Sequence, residues 1–113
     1  SMANTNTTRN TMAYTGTYRG TIPCADCSGI DVVLTINNDG TYTRRMTYVG
    51  KEPNNVFDTN GKYTWNASEE KLTLQEGSGS DMYKVEKDRL VMLDTSGNLI
   101  TGDLSDMYIL RKD

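Results

Sequence analysis

The sequence predicts an all-β domain, folded as a small antiparallel up-and-down barrel of about eight strands. Three observations lead to this fold class. Sixteen Thr and seven Tyr favour pleated strands over helices. Turn signals separate short apolar blocks at intervals of roughly eight to twelve residues, which is typical of all-β proteins. The sequence offers no convincing amphipathic helix, and 113 residues suffice for one domain. A β-sandwich is the alternative, but a closed barrel leaves no strand edge exposed.

Alternating or β-branched apolar residues mark the strands in chain order. The blocks lie at residues 14–22, 32–36, 41–48, 56–57, 63–65, 71–75, 82–85, 89–93 and 107–110. Turns are predicted at 37–40, 60–61, 76–81 and 94–98, and a longer polar loop at 50–55. Because consecutive short hairpins pair with their neighbours in sequence, a meander is expected.

The first 13 residues are mostly Thr and Asn and lack any apolar period. Such a segment buries too little surface to offset the entropy cost of ordering it. We therefore expect residues 1–13 to form a disordered tether, with 14–113 as the barrel domain. Ser1-Met2 resembles residues left behind by an expression tag, so a native signal peptide would have preceded this segment.

Charge and composition exclude several classes of function. The chain carries 12 basic and 15 acidic residues, for a net charge of -3, so no basic face for nucleic acid is expected. It contains no His, which removes the commonest general base and the commonest metal ligand. A catalytic triad, a Cys-His dyad and a His-based zinc site are therefore excluded, and we expect no enzymatic activity.

The two cysteines, Cys24 and Cys27, form a CxxC motif between the first two predicted strands. A structural disulfide is one interpretation, but so short a loop would stabilise the fold little. A redox centre is a second, although no helix is predicted to begin at Cys24 and lower its pKa, and Asp26 would disfavour a thiolate. The third is a metal site, because two thiolates suit the soft ion Cu(I).

Methionine thioethers are candidate additional soft ligands for copper. Met46 and Met92 lie inside the folded region, as do Met82 and Met107. Packing in the core is the more common role of methionine. A structural zinc site would need two further ligands from carboxylates or from a second chain.

Five motifs together resemble the NlpE N-terminal domain family. The block from Tyr18 to Ile30 is similar to the family's GTLPCADCxGI motif, and Asp39-Gly40-Thr41-Tyr42 to its DGTY turn. Tyr48-Val49-Gly50 resembles a YLG element, and Gly61-Lys62-Tyr63-Thr64-Trp65 a GTWTW strand. The segment from Met92 to Ile100 resembles MLDxxGxPI. The PCADC block is the most specific of these.

The resemblance implies a lipocalin-like β-barrel from an outer-membrane lipoprotein of a Gram-negative bacterium. The family is associated with copper resistance and with sensing envelope stress. By resemblance, Cys24 and Cys27 would be its copper-binding or redox-sensitive pair. It also implies an N-terminal lipid anchor to the membrane and an envelope stress-signalling partner, with the domain in the periplasm or at the surface.

We therefore expect a non-enzymatic envelope lipoprotein domain that binds copper or senses redox state or envelope stress through its CxxC pair. Two alternatives remain open from the sequence. The barrel could carry a small apolar ligand, with aromatic residues lining its interior, or it could be an interaction module with no ligand. Side chains commonly fill the interior of an eight-stranded barrel, which weighs against the carrier.

Overall fold

The computed structural model describes residues 14–51, 55–76 and 79–113. The strands are β1 Gly16–Ile22, β2 Gly29–Ile36, β3 Thr41–Val49, β4 Val56–Asn66, β5 Lys71–Glu76, β6 Gly79–Glu86, β7 Arg89–Met92 and β8 Ile109–Lys112. A short 3-10 helix, Ser105–Tyr108, precedes β8. The predicted tether, residues 1–13, lies outside the described residues.

The strands form a closed barrel in which each pairs with its neighbours in sequence. Every pairing is antiparallel, and β8 closes the barrel on β1 through Tyr18↔Lys112 and Arg19↔Arg111. This confirms the all-β class and the eight-stranded up-and-down topology. In such a meander the β1–β2 and β3–β4 connections lie at the same end of the barrel. That shared end contains the candidate site.

Large apolar side chains fill the barrel interior. The fully buried ones are Tyr18, Tyr42, Tyr83, Leu34, Ile36, Leu72, Leu74, Leu90 and Leu110. Strand alternation accounts for this set, because every second residue of a strand points inward. β2 shows it clearly, with Val32, Leu34 and Ile36 buried and Val33 and Thr35 half-buried. The tyrosines belong to a packed core, as the interior of a small barrel requires.

The hairpin turn predicted at 37–40 is confirmed. Gly40 adopts a φ of 89°, which favours glycine, and Asn37 N–H donates to Thr41 C=O at 2.9 Å. Asp39 Oδ1 accepts hydrogen bonds from the Thr41 hydroxyl and amide at 2.6 and 3.1 Å. These bonds lower the pKa of Asp39.

The turn predicted at Asn60-Gly61 is wrong, because both residues lie within the single strand β4. They pair with β3 through Thr43↔Asn60 and Tyr42↔Gly61. A Cβ at Gly61 would lie 2.8 Å from the Gln75 carbonyl oxygen. The glycine thus allows close approach of the backbone, a role that Asn-Gly patterning does not distinguish from a hairpin.

Three other predicted boundaries differ from the structure. Tyr14 precedes β1, which begins at Gly16. Gly16 adopts a φ of 136°, a conformation that favours glycine. Met107 and Tyr108, the first half of the last predicted block, belong to the 3-10 helix Ser105–Tyr108. The turn predicted at 76–81 is shorter, since the β5–β6 ladder continues to Glu76↔Gly79. Residues 77–78 lie outside the described residues.

Candidate functional site

The CxxC motif occupies the connection between β1 and β2. Pro23 follows the end of β1, and Gly29 begins β2. Cys24 and Cys27 form a disulfide with a Cα–Cα distance of 5.4 Å, and both are half-buried. The Ser28 amide donates to the Val49 carbonyl at 3.0 Å, which fastens the loop to the end of β3. The pair therefore lies at the barrel end, in a loop anchored to two strands.

An ion pair connects this loop to the β3–β4 connection. Lys51 Nζ donates to Asp26 Oδ2 at 2.8 Å, and both side chains are substantially exposed. The hydrogen bond from Lys51, reinforced by its positive charge, lowers the pKa of Asp26. The Asp26 carboxylate is thus ionised and has a cationic partner. The sequence argument that Asp26 disfavours a thiolate is weakened, because Lys51 offsets its charge.

Three potential metal-ligating groups converge in this loop. The Sγ atoms of Cys24 and Cys27 and a carboxylate oxygen of Asp26 lie within 4.8 Å of one another. Asp26 Oδ1 lies 3.6 Å from Cys24 Sγ. In the disulfide neither sulfur carries a proton or binds a metal, so this is a contact only. After reduction the donor set would be two soft sulfurs and one hard oxygen.

The methionines proposed as additional ligands pack against the hydrophobic core. Met46 lies in β3 and Met92 in β7, and each is partly buried beside the core cluster. Met46 pairs across the sheet with Val32 and Phe57. The structure thus brings together the two cysteines and Asp26, and it places both thioethers in packing positions.

Sequence reasoning missed Lys51 as a neighbour of the cysteines. Its position 24 residues beyond Cys27 gives no local signal. The meander topology could have indicated it, because alternate connections share one barrel end and Lys51 begins the polar loop there. Side-chain reach to Asp26, however, depends on the twist and stagger of the strands.

The NlpE N-terminal domain family model matches residues 18–103. The chain belongs to this family. The match includes the β1–β2 connection with its CxxC motif and the β3–β4 connection at the same end of the barrel, so the resemblance found in the motifs is confirmed.

Individual relatives agree with this assignment. The chain is 38% identical over 90 residues to lipoprotein NlpE of Escherichia coli K12, a match that covers 78% of the chain and 37% of that protein. A lipoprotein structure from Shewanella oneidensis superposes with a TM-score of 0.82 at 39% identity, covering 93% of the chain and 94% of the other. The crystal structure of the Cpx pathway activator NlpE from Escherichia coli gives a TM-score of 0.68 at 34% identity, covering 78% and 46% respectively.

These relatives confirm the expected lipoprotein family of the Gram-negative envelope, which is not a known class of enzymes. The chain spans little more than a third of the length of the curated Escherichia coli relative. Within the described residues, no helix has the length and hydropathy needed to cross a membrane.

Proposed function

We propose that this domain is a non-enzymatic copper or redox sensor of the bacterial envelope, acting through Cys24 and Cys27. The observation that carries the proposal is the convergence of both sulfurs in an anchored loop at the barrel end. The barrel core is packed with large side chains, which favours loop chemistry over carriage of an apolar ligand.

The disulfide form would be the resting state, because exposed thiols persist poorly in an oxidising compartment. A reduced dithiol of the thioredoxin class would convert the Cys24–Cys27 bond to two thiols by thiol–disulfide exchange, and would itself become a disulfide. Each cysteine then loses a proton when it binds metal. Two thiolates would hold Cu(I), and the paired charges of Asp26 and Lys51 would add no net charge beside them.

Cu(I) titration of the reduced domain against a competing chelator tests copper binding. We expect one Cu(I) per chain, and loss of that binding in the double variant Cys24→Ser/Cys27→Ser. Met46→Leu and Met92→Leu are matched controls, because each conserves volume in the core and removes one candidate thioether. If the double serine variant keeps full affinity for Cu(I), the copper site lies elsewhere. If either leucine variant binds Cu(I) more weakly, that methionine belongs to the ligand set.

The relatives also support a role in envelope stress signalling, since the Escherichia coli homologue is described as a Cpx pathway activator. We propose that a lipid anchor precedes the barrel and that an envelope signalling protein is its partner. The domain, expressed with a lipoprotein leader in an Escherichia coli strain that lacks its own NlpE, should raise a Cpx-responsive reporter. If the parent and the double serine variant give equal reporter output, with and without copper, signalling does not depend on the cysteines.

A further inference from the structure

Within the described residues, the first half of β4 forms an open sheet edge. Residues 56–62 pair with β3, but β5 pairs with β4 only along Tyr63–Asn66. Val56–Asn60 therefore has a single neighbouring strand within the described part of the chain. The pairing of β4 with β5 begins at Tyr63, and before that residue the β3–β4 ribbon continues without β5.

Alternation of hydrogen bonds shows which backbone groups face outward. The Tyr48 amide donates to the Asn55 carbonyl at 2.8 Å, and the Tyr63 amide to the Gly40 carbonyl at 3.0 Å. Hydrogen-bonded pairs occur at every second residue of an antiparallel ladder. Odd-numbered residues of this stretch therefore face β3. The amides and carbonyls of Val56, Asp58 and Asn60 point away from the sheet, in the geometry that an added strand requires.

Apolar side chains surround this edge. Val56 is 47% exposed and Phe57 52% exposed, and Val49 is exposed on the neighbouring strand. The Phe57 ring contacts the Tyr48 ring edge to face, with centroids 5.4 Å apart. Val56 and Phe57 point to opposite faces of the sheet, since they are adjacent in one strand. An added strand would thus meet an apolar neighbour on each face.

Charge on the outer face selects the partner. A cross-strand row runs Arg19↔Val33↔Arg45↔Asp58, and Arg45 binds Asp58 through two bonds of 2.7 and 2.9 Å. Asp113 pairs with Arg19 at the other end of the row, at 2.9 Å. Asp58 is the last member, on the open edge. A cation directly opposite Asp58 on an added strand would meet this exposed carboxylate, and opposite charges in cross-strand positions stabilise a sheet.

The same carboxylate disfavours a second copy of this chain. Antiparallel pairing of two β4 edges over all of Val56–Asn60 places Asp58 opposite its own counterpart. Like charges directly opposite each other destabilise a ladder. Charged residues on edge strands commonly prevent such self-association in this way.

We propose that the open edge of β4 receives an extended segment of another protein by β-strand addition. The segment carries a Lys or Arg opposite Asp58 and apolar residues opposite Phe57 and Val56. Main-chain bonds to Val56, Asp58 and Asn60 supply affinity, and the cation and apolar side chains supply selectivity. This surface is separate from the cysteine chemistry.

The probe is a blocked peptide, Thr-Val-Lys-Phe-Val, which places its Lys opposite Asp58 in antiparallel register. A matched peptide carries Glu in place of Lys. In an amide-detected NMR titration of the full chain, we expect the amides of Val56, Asp58 and Asn60 to shift with the Lys peptide. The Glu peptide should bind about two- to fivefold more weakly, as expected for one cross-strand charge pair.

Two edge variants separate recognition from folding. Asp58→Lys should reverse the preference between the two peptides, a result that loss of structure cannot produce. Val56→Pro removes an outward amide without breaking a bond to β3, and it should weaken both peptides by about five- to tenfold. Its far-UV spectrum should match that of the parent. The variant Cys24→Ser/Cys27→Ser should bind the peptides as the parent does, so failure of the copper proposal leaves this one standing.

Three results would overturn the proposal: no shift at the β4 edge with either peptide, the same peptide preference in parent and Asp58→Lys, or unchanged affinity in a folded Val56→Pro variant. Analytical ultracentrifugation of the free chain measures its oligomeric state and so tests the other possible occupant, a second copy of this chain. A dimer that Val56→Pro dissociates would assign the edge to a second copy instead.

Discussion

Reduction of the Cys24–Cys27 disulfide should leave the barrel folded. The bond joins residues only three positions apart in sequence. In the chain-entropy model such a small loop contributes at most about 2 kcal/mol to the free energy of unfolding. The loop is also held by the Ser28–Val49 hydrogen bond and the Lys51–Asp26 ion pair, which we expect to persist after reduction. We expect the stability loss to lie between zero and this upper value.

Urea unfolding, followed by the fluorescence of Trp65, measures this loss. The indole is half-buried and stacks near the Tyr14 ring at 4.7 Å between centroids, so it reports on the core. The oxidised parent, the reduced parent and Cys24→Ser/Cys27→Ser are compared, with Ser28→Ala as a control in the same loop. A loss above about 4 kcal/mol, or unfolding on reduction, would make the disulfide a structural requirement and remove the basis for a reversible sensor.

Two further predictions concern the barrel itself. Burial, followed by the charge of Asp88, raises the pKa of Tyr18 to about 12. A folded-state pKa above the unfolded value of about 10 gives stability that is complete below pH 10 and is lost as the pH rises towards 12, by about 3 kcal/mol in all. Urea unfolding should give nearly equal stability at pH 7 and 9, and about half of this loss by pH 11. Tyr18→Phe should make the free energy of unfolding fall less steeply with pH above 10. It costs about 1–2 kcal/mol at pH 7, because it removes the 2.6 Å bond to the Tyr14 carbonyl. An unchanged slope would contradict the assignment of the alkaline loss to Tyr18. Gly20→Ala should destabilise the barrel by about 1–3 kcal/mol, since its Cβ would lie 2.5 Å from the Ile109 carbonyl oxygen. The exposed control Thr64→Ala should change the free energy of unfolding little. Equal losses in the two variants would show that the close contact of Gly20 with β8 does not matter.

Much of the fold followed from local patterns, and the failures have specific causes. Alternation identified β2 and β3, because one face of each strand is buried against the core. The Asn60-Gly61 pair misled, since glycine serves both hairpins and close backbone approach, and only the position of Gln75 distinguishes the two. The 3-10 helix before β8 has no periodic signal over its short length.

The site was predictable only in part. The CxxC spacing identified Cys24 and Cys27, because two cysteines this close in sequence can reach each other in a turn. Their electrostatic setting depends on Lys51, which the tertiary fold supplies. The open edge of β4 was also beyond sequence patterns, since it arises where β5 starts its pairing at Tyr63 and not from any residue type.

The two ends of the barrel differ in how firmly they are held. At one end, Tyr14 packs edge to face on Tyr63 at 5.9 Å and its carbonyl accepts the buried Tyr18 hydroxyl, so polar groups there are satisfied within the fold. At the other end, the cysteine loop is fastened by one backbone bond and one exposed ion pair. No residue of the loop 23–28 is fully buried, and local rearrangement of such a segment costs less than global unfolding. We therefore expect reduction of the Cys24–Cys27 bond to change the loop while the core that holds β3 and β4 in register stays intact.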